Sequence, residues 1–279
     1  FYRRHKFYTM LLGRMLLVPS ILLLALSIYW GMVQEHMDIR LILPACLLVV
    51  ALFVFQHKIN DYSLGRWPPK LDEDEEHWMR SYVHFYNNLS DFRKKEFGQN
   101  LGRVCAQTDF IAKGMESIPQ EIKMMVIAPM IYMRLHENLQ ISENFKRVAL
   151  YLHPFITPEQ NYIHISEIHD EDGLLIFSLA ELQISYKDPL RYFNSAFYEW
   201  SRIFFGINQH LKPTNMSDEF IWHFVAGHTN IEKERLEAYM GQPEIDTSSL
   251  LLYTCTYFQE NIPADVAAWH ARVKKFFFV

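Results

Sequence analysis

The chain has 279 residues, half of them apolar and 15% aromatic. That is enough for a membrane segment followed by one soluble domain of about 200 residues with its own core. A formal net charge of -5 leaves no broad basic surface and excludes nucleic acid as an expected partner, because the phosphate contacts that drive such binding need clustered Lys and Arg. The three cysteines, Cys46, Cys105 and Cys255, lie far apart and read as reduced structural thiols, not as a disulfide framework or a Cys-type zinc site.

From Met15 to Gln34 the stretch "MLLVPSILLLALSIYWGMVQ" carries no charge. It is as long as a helix must be to cross a hydrocarbon core of about 30 Å at 1.5 Å per residue. A second run, Leu41 to Gln56, is shorter, but Arg40 and His57 can reach the interface along their own side chains. The loop between them, "EHMDIR", permits only a tight hairpin, so both ends of the pair emerge on one side. Two transmembrane helices are therefore expected at about 12–34 and 40–57, within an N-terminal segment 1–66. Pro19 and Pro44 are tolerable there, and the second run argues against a cleaved signal peptide. Arg3, Arg4, Lys6 and Arg14 before the spans, and Lys58, Arg66 and Lys70 after them, outnumber the single Arg40 of the loop. By the positive-inside bias, both termini and the domain 67–279 belong in the cytoplasm.

Trp67 suits a membrane interface, Pro68 and Pro69 stiffen the exit, and the acidic run Asp72 to Glu76 suits a helix N-terminus. Apolar residues then recur at helical spacing from about Glu75 to Glu116, from Trp78 through Phe110, with Ser90 and Asp91 as a break and cap. A further helix over Pro119 to Leu135 is apolar all round and so buried, its methionines serving as core filler. Residues 145 to 185, punctuated by Pro154, Pro158 and Gly173, read as three or four strands.

In "YFNSAFYEWSRIFFG", Phe193, Ala196, Phe197, Trp200, Ile203, Phe204 and Ile207 fall on one helix face and Ser195, Tyr198, Glu199 and Arg202 on the other. Taken alone this is an amphipathic helix with an ordinary Glu199–Arg202 ion pair. The last segment, "SSLLLYTCTYFQENIPADVAAWHARVKKFF", reads as one final helix, with an aromatic tail that suits either a partner surface or closure of the core.

Two other clusters hold metal-binding residue types: His164, Glu167, His169 and Asp170 in "HISEIHD", and Glu219, His223 and His228 in "EFIWHFVAGH". In each, a spacing of five neither stacks two imidazoles on one helix face nor keeps them on one side of a strand. His153 and His270 read as structural histidines. No nucleophile elbow and no Gly-rich phosphate loop is present.

The order of these pieces, with "ISEIHDEDGLLIFSLAEL", "DPLRYFNSAFYEWSRIF" and "CTYFQEN", resembles the MtfA (Mlc titration factor A) family of zinc-dependent peptidases over roughly residues 76 to 277. The resemblance implies an α+β fold, a zincin-like, mainly helical domain with a small β-sheet behind a transmembrane hairpin. In that family H-E-x-x-H supplies two zinc ligands and a general base, and a glutamate on the last helix completes the site. Here Asn194, Ser195, Ala196 and Phe197 match the approach and Glu199 matches the general base, as a vestigial one. Tyr198 and Arg202 stand at the two histidine positions and Thr256 at the glutamate position. Tyr and Thr are poor zinc ligands at neutral pH and Arg keeps its proton, so no metal cofactor is expected. The expectation is a catalytically inactive pseudoenzyme of the bacterial inner membrane, a scaffold or regulatory module with protein partners in a membrane complex. The alternative is an active zinc metallopeptidase with Glu199 as general base and ligands elsewhere.

Overall fold

The computed structural model describes residues 12–34, 39–138, 141, 144–157, 162–242 and 244–277. The chain divides into two compact units, Phe1–Pro69 and Lys70–Val279, close to the boundary expected at residue 66.

The first unit holds α1 (Leu12–Val33) and α2 (Ile39–Arg66). Both are long and apolar enough to cross a membrane, and only 11% and 6% of their apolar windows is buried. Gly13 N–H donates to Asn60 Oδ1 at 2.8 Å, which sets the first turn of α1 against the later part of α2. A Cβ on Gly13 would lie 2.9 Å from that oxygen, so glycine leaves room for the amide. The second helix outruns the expected span, continuing from His57 to Arg66, because no breaker intervenes before Trp67, whose place ahead of Pro68 disfavours helix. The expected cations Arg3, Arg4 and Lys6, the loop residues 35–38, Pro158, and the tail's Phe278 and Val279 lie outside the described residues.

The second unit begins with α3 (Glu73–Tyr82), and the acidic run is its N-terminus as expected. Asp72 Oδ1 accepts the Glu75 N–H at 2.8 Å while Glu75 Oε2 accepts the Asp72 N–H at 3.0 Å, a reciprocal cap that satisfies two otherwise orphan donors. The short α4 (His84–Asn87) follows, and Ser90 caps α5 (Asp91–Gln107). The helix expected to reach Glu116 stops there: Asp109–Lys113 form strand β1, and Phe110 pairs with Val148 in place of joining a helix face. Next is α6 (Gln120–Tyr132), in which every residue from Met124 to Tyr132 is buried, as an all-round apolar helix requires.

Three strands complete the sheet: β2 (Arg147–Tyr151), β3 (Ser166–His169) and β4 (Leu174–Ser178). The order is β1-β2-β4-β3, parallel except for the antiparallel β3–β4 pair. The last part of the stretch expected to be strand is instead α7 (Leu179–Lys187), where Leu179, Leu182 and Tyr186 take helical spacing. Five helices follow: α8 (Ser195–Ile207), α9 (Asp218–Thr229), α10 (Lys233–Met240), α11 (Thr247–Tyr257) and α12 (Ala264–Lys274). The last two replace the single final helix expected, because Asn261 takes a left-handed φ of 54° and Pro263 cannot continue a helix. The tail closes the core: Phe277 is buried, its ring centroid 5.0 Å from that of Tyr132 and 5.3 Å from that of Phe204.

The sheet has two unlike faces. Val148, Leu150, Leu175 and Phe177 enter the main core, and by register Ser166 and Ile168 share that side. Ala149 and Ile176 face the other way, under Phe155, and Glu167 and His169 share that side.

Candidate functional site

Helix α8 is the axis of the second unit. Asn194 Oδ1 accepts the Phe197 N–H at 3.0 Å and caps it, and Trp200 Nε1 donates to the Val126 carbonyl on α6 at 2.8 Å. Ser201 turns its hydroxyl back to the Phe197 carbonyl at 2.7 Å. Of the polar face, Ser195, Tyr198 and Glu199 are buried and Arg202 is not, because α6, α11 and β3 pack against the helix. Arg202, Gly206 and Ile207 reach the surface, and Ile207, expected in the core, is 41% exposed.

Glu199 has no exposed surface, and an isolated carboxylate there would carry a large desolvation cost. Three donors offset it. Oε1 accepts from Ser166 Oγ at 2.7 Å and from Gln242 Nε2 at 3.0 Å, and Oε2 accepts from Arg202 Nη1 at 2.9 Å. Burial is the largest influence and acts against the Arg202 charge, but Glu199, Tyr198 and Asp246 together raise the guanidinium above its ordinary value. The guanidinium also lies 6.0 Å from the centre of the Tyr198 ring.

Tyr198 is held by its other end: its hydroxyl oxygen accepts the Asp246 N–H at 2.8 Å. Burial first, and the Glu199 charge second, push the phenol up, so it stays protonated at neutral pH. Thr256, on α11, donates to the Leu252 carbonyl of its own helix at 2.8 Å. Among the described residues no hydrogen bond or ion pair joins Thr256 to Tyr198, Glu199 or Arg202. The structure thus brings together 198, 199 and 202, while the Thr256 hydroxyl is bonded within its own helix. A neutral phenol, a guanidinium and a helix-bonded hydroxyl do not form a donor set for zinc, which needs three ligands from His, Cys, Asp or Glu.

Sequence reasoning missed Ser166, Gln242 and Asp246. The one sequence feature beside the second is Gly241, which sequence reasoning also passed over: it sits at φ +64°, and a Cβ there would come 2.1 Å from the Ile163 carbonyl oxygen. Only glycine lets the connector between α10 and α11 press so close to the β3 segment and bring Gln242 to Glu199.

In the first histidine cluster the rings do not point to opposite faces of a strand as the spacing suggested. His164 lies ahead of β3, bridged to Phe155, so strand alternation does not govern it. Its Nε2 is 2.9 Å from Glu167 Oε2, and His169 Nε2 is 3.4 Å from Glu167 Oε1. The carboxylate sits between the two rings, so the three groups face one another and not a common point. On α9, His228 reaches the carbonyls of Phe224 and Glu260, at 2.8 and 3.0 Å. Among the described residues no three His, Cys, Asp or Glu side chains gather so as to hold a metal ion.

A cleft of about 570 Å³ opens beside Arg202, walled by Phe145, Ile168, Ile203 and Ile245. Asp170, Lys212, Glu244 and Asp246 also line it. No family model matches the chain, and no curated protein is significantly similar to it.

Proposed function

We propose that the chain is a membrane-anchored peptidase-like protein without peptidase chemistry, acting as a scaffold or regulatory subunit of a membrane protein complex. The observation that carries this reading is the saturation of Glu199 by Ser166, Gln242 and Arg202. A general base needs an oxygen within hydrogen-bond reach of the water or group whose proton it takes. Here both oxygens are committed, one of them to a permanent cation, and the motif positions beside it offer no ligand for a metal that would acidify a water.

The peptidase-like part of this reading rests on the order of a strand-rich segment, the α8 motif and a late helix, α11, in the sequence. Anchoring is supported by α1 and α2, which expose leucine, valine and phenylalanine along most of their length. Lys58, Arg66 and Lys70 after the spans support a cytoplasmic domain, and the family resemblance supports the bacterial inner membrane.

Metal analysis of the full chain purified in detergent tests the catalytic half, together with peptide hydrolysis before and after chelation. The expected result is far less than one zinc per chain and no chelator-sensitive hydrolysis. Stoichiometric zinc that disappears in Glu199→Gln or Arg202→Ala would overturn it. Elution with co-purifying subunits is expected for the scaffold half, and a monodisperse chain eluting alone would contradict it.

A further inference from the structure

The cleft beside Arg202 is unevenly charged. Its two cations are already engaged: Arg202 pairs with Glu199 at 2.9 Å, and Lys212 Nζ lies 3.9 Å from Asp246 Oδ2. Asp170, just after β3, and Glu244, in the connector between α10 and α11, line the same cleft and join no ion pair among the described residues. Three carboxylates, Asp170, Glu244 and Asp246, thus line the cleft with two cations, and Asp170 and Glu244 are exposed to it without a counter-ion of their own among the described residues. Between them the wall is apolar: Phe145, Ile168, Ile203, Ile207 and Ile245.

We propose that this cleft binds a small organic cation, an ammonium group or pair of them carried on an aliphatic body. The volume of about 570 Å³ falls within the range of roughly 300–1,000 Å³ usual for small-molecule sites. An aliphatic chain removes the isoleucine wall from water. Its ammonium ends meet carboxylates that otherwise lack a counter-ion, which is the condition for a charge to leave water cheaply. A neutral ligand would desolvate Asp170 and Glu244 without a partner, and an anionic one would face their repulsion as well. The two carboxylates come from separate segments, so a cation with two charged ends suits them better than a point charge. None of this depends on a membrane or on a peptidase-like origin, and failure of either reading leaves it standing.

Isothermal titration of the full chain in detergent with hexamethylenediamine tests it, beside the diol and the dicarboxylate of the same chain length. Saturable binding of the diamine that weakens as salt rises is expected, with none for the other two. Joint replacement Asp170→Asn and Glu244→Gln should weaken the diamine by roughly twofold to thirtyfold, as loss of two exposed ion pairs implies. Ile207→Arg, which sets a new cation on the rim, should weaken it too and decides the matter should the double variant not fold. Absence of saturable diamine binding, equal binding of the dicarboxylate, or indifference to these substitutions overturns the proposal.

Discussion

Glu199 illustrates why a buried charge is informative at the scale of one residue: it persists only because Ser166, Gln242 and Arg202 meet it. Arg202→Met is expected to cost about 2–3 kcal/mol, less than for a fully enclosed pair because the arginine is 38% exposed. Adding Glu199→Gln to that variant should recover part of the loss, since an amide leaves no orphan charge. Denaturant unfolding followed by tryptophan fluorescence measures both, and a double variant weaker than Arg202→Met would count against the account. The i,i+3 pair itself was legible in the sequence. Its two other donors were not, because Ser166 and Gln242 lie 33 and 43 residues from Glu199. No local pattern announces such partners.

Two histidines give the molecule an acid limit. Burial holds His136 and His270 down to about 4, and both are neutral in the fold at neutral pH. Unfolded, each takes a proton near 6.5, so stability is lost as pH falls from about 6.5 to about 4. Each should account for about 2 kcal/mol between pH 7 and pH 5. His270→Phe should flatten the fall of the unfolding midpoint on acidification, and an unchanged slope would show that this histidine is not responsible.

Among the elements, the cap at Ser90 was legible and tertiary context was not. Ser90 caps α5 where the sequence announces it, because a capping side chain bonds within three residues; Asp72 and Asn194 cap α3 and α8 without having been read as caps. β1 and α7 were misread, since Phe110 and the run after Ser178 take their state from the strand or helix packed against them. The connector at Gly241 gives the sharpest test. Gly241→Ala forces a side chain into left-handed backbone and against the Ile163 carbonyl. It is expected to cost about 2 kcal/mol or more. Because the connector carries Gln242, the variant should also loosen the donor set of Glu199, and an unaltered unfolding midpoint would refute this.

For the whole molecule, the division near residue 69 separates two helices long and apolar enough to cross a membrane from the residues after them. The apolar runs were legible because length and hydropathy alone define them; the end of α2 was not, because polar residues continue its helix to Arg66. A chain lacking residues before Lys70 is expected in the soluble fraction of a lysate and the full chain in the membrane pellet, and sedimentation of both together would remove the anchoring role. Asn60→Leu orphans the Gly13 N–H inside the helix pair and should cost about 1 kcal/mol. Reduced thermal stability of the detergent-solubilised hairpin would report it.

The packing of α6, α11 and β3 against the buried turns of α8 has a kinetic counterpart. The backbone amides from Tyr198 to Ser201 lie in its fully buried part, so they should swap hydrogen for deuterium only when the entire second unit opens. They would then be the last of the chain to acquire mass in heavy water, and the rate at which they do so would read out the global opening free energy directly.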